Sequence, residues 1–524
     1  MRAFLHSATV GLAIALVCCG LPRCASGQTV ATFLGGIGDT TTSRQSWTQS
    51  GNWDPAAIPN AAEVWAQINS SDAATLRILY TSSSLGENTL NVGAISFLPT
   101  LTVTGGASYS VQNNALVIDP PRPRGVLKFF GIDTTINAVP RRMILDNSTA
   151  LDNVSFTQTL SGQEFQLNTS GAVNVGEGTR LSLSTPILED APGRSITKIG
   201  AGVLSFSGTG NLSNLSSYTG GFIMEEGIVE WALSGTAGTG TPFGLGDLTL
   251  RGGTLRSTSA TSRTVNVNVV LDGGATIGSP EEGSTGDINI NSNSDALATT
   301  VLTDSVLTIP AGNASIWFQA LSGTGQVTKA GDGILELAKA STYAGGFVLD
   351  GGTVQWRLSG TAAESTPFGL GTLTLRQGIL RSTTDTGRFI NTDVVLDGMV
   401  TLGSTETGLA GSIIINSASG SLTTTIARDS RVTVVEGGST IWNQATSGVG
   451  GITKAGLGTL QFSGVGGDLA HTGATVVEAG TLLVDGNLRS QAPMSVLSGG
   501  TLGGGGSVAG PVTIQTGATL APRG

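Results

Sequence analysis

The chain has 524 residues, of which 39% are hydrophobic and only 12% charged, with 78 glycines and a formal net charge of −10. So apolar a composition excludes a solvated, disordered coil, and the acidic balance argues against nucleic acid or anionic lipid as a partner. All three cysteines, Cys18, Cys19 and Cys24, lie near the N-terminus, so a chain that loses this segment has neither disulfides nor thiol chemistry.

Residues 1–27 have the layout of a secretory signal peptide. Arg2 supplies a positive start, Ala8 to Cys19 a short apolar run, and Gly20-Leu21-Pro22 breaks that run ahead of Ala25-Ser26-Gly27. Cleavage is expected near Gly27-Gln28, which makes the protein secreted or cell-surface and leaves 24 basic against 36 acidic residues, a net charge of −12. Lipid attachment at one of the cysteines is a poorer reading, because the expected small apolar residues do not precede them. No later stretch approaches the roughly 18 apolar residues of a spanning helix, so no membrane span is expected after cleavage.

Residues 28–195 form an N-terminal Trp-containing β region. It holds Trp47, Gly51-Asn52-Trp53-Asp54-Pro55, Pro59-Asn60 and the basic, proline-rich Pro120-Pro121-Arg122-Pro123-Arg124. A cap on the first edge of a repeat array is the expected role. Carbohydrate stacking on Trp47 and Trp53 is the sharper alternative.

Residues 196–524 are repetitive. Tyr218 recurs as Tyr343, Trp231 as Trp356, Phe243 as Phe368, Asp272 as Asp397, Trp317 as Trp442 and Lys329 as Lys454, each 125 residues on. Between residues 231–258 and 356–383, 21 of 28 positions are identical, so the block spanning about 218–329 is duplicated at 343–454. A shorter theme is nested within it: Ile196-Thr197-Lys198-Ile199-Gly200-Ala201-Gly202-Val203-Leu204 is echoed from Val327 and again from Ile452. Tyr218, Tyr343 or His471 follows with a glycine turn, then a second alternation ending GIVEW, GTVQW or GTLLV. Alternation of period two between glycines reads as short strands and turns, and Gly-rich coils continue through 455–524. A propeller would show blade periods near 40–45 residues, and none is present. The expected fold is an all-β, elongated right-handed parallel β-helix, a β-solenoid, with about five or six coils per block.

The ITKxGxGxLxF segment with its following YTGG or HTGA and GTLLV resembles the bacterial autotransporter-associated β-strand repeat, also called the passenger-associated transport repeat. The closing GTLGGGGSVAGPVTIQTGATLAPRG resembles it too. Matching segments cover roughly 196–231, 327–357 and 452–521. The resemblance implies a β-helical exported or surface protein whose repeats assist folding and secretion. An autotransporter would finish with a β-barrel translocator, whereas this sequence stops at Ala521-Pro522-Arg523-Gly524. Either export needs no self-encoded barrel or the sequence is a truncated product.

The residues assign no catalytic, cofactor-binding or metal site. His471, the single histidine beyond the signal-like segment, takes the place of Tyr218 and Tyr343, which favours a structural or loop role over a general base. A Ser-His-Asp triad or a His/Cys zinc site lacks material, and Gly369-Leu370-Gly371 lacks the Lys-Ser/Thr of a phosphate loop. Asp272 and Asp397 precede glycines and read as turns, while Asp190, Asp287, Asp304 and Asp332 are scattered singly. Asp287-Ile288-Asn289-Ile290-Asn291 begins like a calcium loop, but Ser292 replaces the turn glycine and Ala298 the bidentate glutamate, so an exposed Asn face is expected.

Three lysines (Lys198, Lys329, Lys454) and three arginine pairs (Arg251/Arg376, Arg256/Arg381, Arg263/Arg388) recur. They read as a stripe that shields strand edges or recognises acidic glycans. The expected function is a non-enzymatic structural or adhesive surface protein, requiring no cofactor, with a surface glycan or protein and the secretion machinery as partners. A carbohydrate-active β-helix enzyme or carbohydrate-binding module is the alternative.

Overall fold

The structure, a computed structural model, describes residues 191–206, 215–281, 285–291, 295–416 and 420–523, with shorter stretches between 167 and 189. Ahead of Leu167 it describes the backbone of strands from Thr29 onward. The signal-like segment 1–27, Trp47, Pro59-Asn60, Pro120 to Arg124, Asp190 and residues 292–294 lie outside the described residues, as does the side chain of Trp53. The chain divides into two compact units, Met1–Ile196 and Thr197–Gly524.

In the first unit Thr29–Phe33, Val64–Ser70, Ala94–Pro99, Val126–Phe130, Ala150–Val154 and Gly171–Val175 pair one after another, all parallel. A second parallel ladder runs through Thr89–Val92, Ala115–Ile118, Thr134–Leu145 and Thr157–Leu167. Consecutive parallel strands cannot be joined by a tight hairpin, so the chain must circle once between neighbours. That geometry defines the fold as an all-β parallel β-solenoid, the class the sequence led us to expect.

The second unit repeats this scheme with three strand positions per coil, here called the first, second and third faces. Many strands are short because inward and outward residues alternate for only three to five positions before a glycine turn, whereas Ser439–Ser447 alternates over nine. Phe222–Met224, Leu248–Leu250, Val269–Leu271 and Ile288–Ile290 each bury their two outer residues and leave the middle one half-buried. Inward side chains stack in rows: Met224, Leu250, Leu271 and Val301 on the first face, and Ala275, Leu307, Lys329 and Leu349 on the second. A single coil has no core of its own, and each row closes only by stacking on its neighbours.

The duplicated blocks are out of phase with the coils. Leu271 and Ala275 belong to one coil and lie on its first and second faces. Leu250 stacks beneath Leu271, yet its counterpart Leu375 stacks on Leu349, in the row of Ala275. Likewise Leu255 pairs with Ile277 on the second face, while Leu380 pairs with Val354 and Leu402 on the third. One block therefore occupies five coils plus one strand, which agrees with the expected five or six coils. It also turns every second-copy residue about a third of the way round the axis, about 26 Å along it at the ordinary strand spacing.

One interior polar chain is copied bond for bond despite the rotation. Trp317 Nε1 donates to Thr299 Oγ1 (2.9 Å), Thr299 Oγ1 donates to Gln319 Oε1 (2.7 Å), and Gln319 Nε2 donates to the carbonyls of Val267 (2.7 Å) and Asn291 (2.8 Å). Trp442, Thr424 and Gln444 repeat the set onto the carbonyls of Thr392 and Asn416. Every polar atom in this buried chain is matched, as a dry core requires. Aromatic edge-to-face pairs also recur: Trp231 meets Phe243 with centroids 5.0 Å apart, and Trp356 meets Phe368 at 5.2 Å.

Candidate functional site

The shorter theme has one structural centre, its lysine. In Ile196-Thr197-Lys198, Val327-Thr328-Lys329 and Ile452-Thr453-Lys454 the alternation places the lysine on the inward side with the preceding aliphatic residue. All three lysines are fully buried, with 0% exposure. Lys198 Nζ donates to the carbonyls of Ile199 (3.0 Å), Gly200 (2.5 Å) and Glu226 (3.1 Å). Lys329 Nζ donates to Ala330 (2.9 Å), Gly331 (2.6 Å) and Gly351 (3.1 Å). Lys454 Nζ donates to Ala455 (3.0 Å), Gly456 (2.8 Å) and Ala479 (2.9 Å). Two carbonyls come from the lysine's own turn and the third from the next coil, so the ammonium's three donors are all used. Burial lowers each lysine's pKa from 10.5 to about 8, which keeps the ammonium charged at neutral pH. The lysines therefore do not shield strand edges. The apolar alternation around them was the signal that they point inward.

The arginines do not form a stripe either. Their counterparts lie on different faces because the blocks are rotated, and all but Arg388 bond along the axis to neighbouring coils. Arg251 bridges Glu225 and Asp272, both at 2.8 Å, and Asp397 bridges Arg376 (3.3 Å) and Arg428 (2.8 Å). Arg256, with a side chain only 5% exposed, pairs with the equally buried Glu230 at 2.9 Å and also reaches Glu281. Arg381 instead donates to Gln355 Oε1 (2.9 Å) and pairs with Glu406 (2.8 Å). Arg263 donates to the Trp231 carbonyl (3.2 Å) and Arg388 to Thr384 Oγ1 (3.3 Å).

Asp272, Asp397, Asp287 and Asp304, four of the carboxylates singled out from sequence, are likewise brackets between coils. Asp272 and Asp397 hold the guanidinium groups just described, beyond any role in a turn. Asp287 Oδ1 accepts from the Ala314 amide (2.7 Å), Asn289 Oδ1 from Ile316 (3.0 Å) and Asp304 Oδ1 from Gln326 (2.9 Å). The Asp287 to Asn291 face is thus half-buried and engaged by the next coil rather than an open Asn surface. Asp332 lies close enough to Lys329 for its charge to favour the ammonium. Among the described residues no group of three or more His, Cys, Asp or Glu is placed to hold a metal ion.

His471 is fully buried where Tyr218 and Tyr343 sit in the earlier copies. Its ring nitrogens face Thr446 Oγ1 (3.0 Å) and Thr475 Oγ1 (3.2 Å). Burial lowers its pKa from 6.5 to about 4, so the folded protein holds it neutral where the unfolded chain would protonate it. Stability from this residue is complete above pH 6.5 and falls as pH drops toward 4, by a total of about 3 kcal/mol. His471→Tyr is expected to remove that dependence. Amide-exchange protection of residues 452–484, compared at pH 7 and pH 4.5 in both chains, tests it: equal acid sensitivity would refute the assignment.

Aromatic anchors and buried cations caged by carbonyls recur through the parallel coil stack and define a repeat β-solenoid. The profile of the passenger-associated-transport-repeat matches residues 327–355 and 452–484. Each match begins at the strand of the buried lysine and ends four or five residues past the one that supplies its third carbonyl. The chain therefore carries passenger-associated transport repeats, and the segment from Ile196, outside the profile's match, shares the lysine geometry. Over 270 residues it is 27% identical to the adhesin BmaC autotransporter of Brucella suis biovar 1 (strain 1330). That alignment covers 47% of this chain and 7% of the relative's length. No solved structure matches.

Proposed function

We propose that the protein is an exported surface solenoid with a structural or adhesive, non-enzymatic role, its passenger-type repeats supporting folding and secretion. The observation that carries this reading is that a buried polar chain is copied without change between the blocks while several outward positions have diverged. The Trp-Thr-Gln chain is reproduced donor for donor, while outward Thr264, Gly274 and Asn289 become Phe389, Met399 and Ile414. An assembled catalytic constellation gains nothing from such duplication. A presenting scaffold gains area, and the rotation between blocks turns that area toward different directions. The signal-like N-terminus and the similarity to an adhesin support the same reading, with a surface glycan or protein as partner.

Two measurements on cells expressing the full chain test it. Fractionation and protease shaving of intact cells are expected to find the protein outside the cytosol. Attachment of those cells to immobilised glycans and extracellular proteins is expected to exceed that of cells without it. Mature protein confined to the cytosol would end the export reading, and unchanged attachment across the panel would end the adhesive one.

A further inference from the structure

In each repeat a glycine of the following coil packs against the turn whose carbonyls the lysine holds, and in the first two copies it meets the lysine itself. Gly227, Gly352 and Gly480 open the second alternation and have φ of +79°, +63° and +66°, where side chains are strained. A Cβ at Gly227 would fall 2.6 Å from Lys198 Nζ, one at Gly352 2.7 Å from Lys329 Nζ, and one at Gly480 2.4 Å from the Gly456 carbonyl that Lys454 holds, rather than on the ammonium. Lysine and glycine are 29, 23 and 26 residues apart in the three copies, yet the cage is the same. Connection length therefore cannot be what aligns the two coils.

Alternation alone cannot align them either. The incoming strands turn Phe222 and Met224, Phe347 and Leu349, or Thr475 and Val477 inward at every second position, so a slip of two residues would keep the same side facing in. Such a slip would carry the accepting carbonyl about 7 Å along the strand. It would also bring a residue with a Cβ against the ammonium, leaving a buried charge with an empty donor, a penalty of the kind that decides between otherwise similar packings. In the correct register the cost of burying the charge is offset by three carbonyls, so the lysine discriminates more than it stabilises.

We infer that each lysine and its glycine form a register key, which admits the next coil in one alignment only. The inference goes beyond the surface role and holds whether or not the protein adheres to anything. Thr453 and Val476 are paired directly across the two coils at Lys454. With Cys18, Cys19 and Cys24 replaced by Ser, the pair Thr453→Cys with Val476→Cys reports the native register. Thr453→Cys with Glu478→Cys, or with Ala474→Cys, reports a two-residue slip, because in the native register those Cα atoms are about 8 Å apart, too far to bridge.

With Lys454 present, only the native pair is expected to oxidise to a disulfide. In Lys454→Met, which keeps the apolar stem, a slipped pair is expected to gain about tenfold in yield, equivalent to about 1.4 kcal/mol of lost discrimination. The midpoint of thermal unfolding should change little. Native-pair oxidation alone in both backgrounds would overturn the inference. So would a Lys454→Met chain in which no pair forms, since the lysine would then serve stability and not alignment.

Discussion

Trp356→Ala is expected to destabilise the second unit by about 3–5 kcal/mol, the range for deleting a large aromatic from a closed core. Trp356 has no exposed surface. It stacks between Leu337 and Ser382 in its row and meets the Phe368 ring edge-on at an interplanar angle of 70°. Phe368 in turn contacts Phe347 at 5.6 Å, so the indole joins the strand ladder to the loop that carries Phe368. The Trp356 Nε1 is buried without a hydrogen-bond partner. Trp356→Phe therefore loses packing but no bond, and should cost well under half as much. Stacked coils can open locally, so the measurement is amide-exchange protection across residues 347–390 together with urea denaturation. An alanine variant within about 1 kcal/mol of the parent would show that the aromatic group is not an anchor.

Arg256→Ala should cost a similar amount, about 3–5 kcal/mol, while Arg251→Ala should cost less than about 1 kcal/mol. Both arginines bridge two acidic side chains, and what separates them is burial. Arg251 is 43% exposed, so water and salt screen its two ion pairs. Removing Arg256 leaves Glu230, 4% exposed, as a buried carboxylate without its principal partner. Glu230→Gln should be nearly neutral, because Gln355 already accepts from Arg381 at 2.9 Å in the second copy. Urea denaturation at low and high salt distinguishes the cases: Arg251→Ala should respond to salt and Arg256→Ala should not. Equal costs for the two would mean that the interior pair is solvated.

Much of the architecture was legible in the residues because strand alternation is a local property. Ile196-Thr197-Lys198 and its echoes carry the inward and outward parity within three positions, and the 125-residue identity needs no three-dimensional information. The same parity held the inward direction of the lysines, which a reading of charge as surface overrode. Their carbonyl cage was not legible, since each lysine's third carbonyl comes from a coil more than twenty residues away. The pairing of Arg256 with Glu230, 26 residues apart, was hidden for the same reason.

The repeats, the short strands and the solenoid class follow from the sequence by itself, because period-two alternation between glycines permits few other folds and near-identical segments must fold alike. Only the tertiary structure decided that equivalent residues of the two blocks lie on different faces. That offset is set by the summed lengths of all the turns in five coils, and no single turn contains it. The partners of the lysines and arginines were also decided there, since each lysine's third carbonyl and most of the arginines' partners come from the adjacent coils.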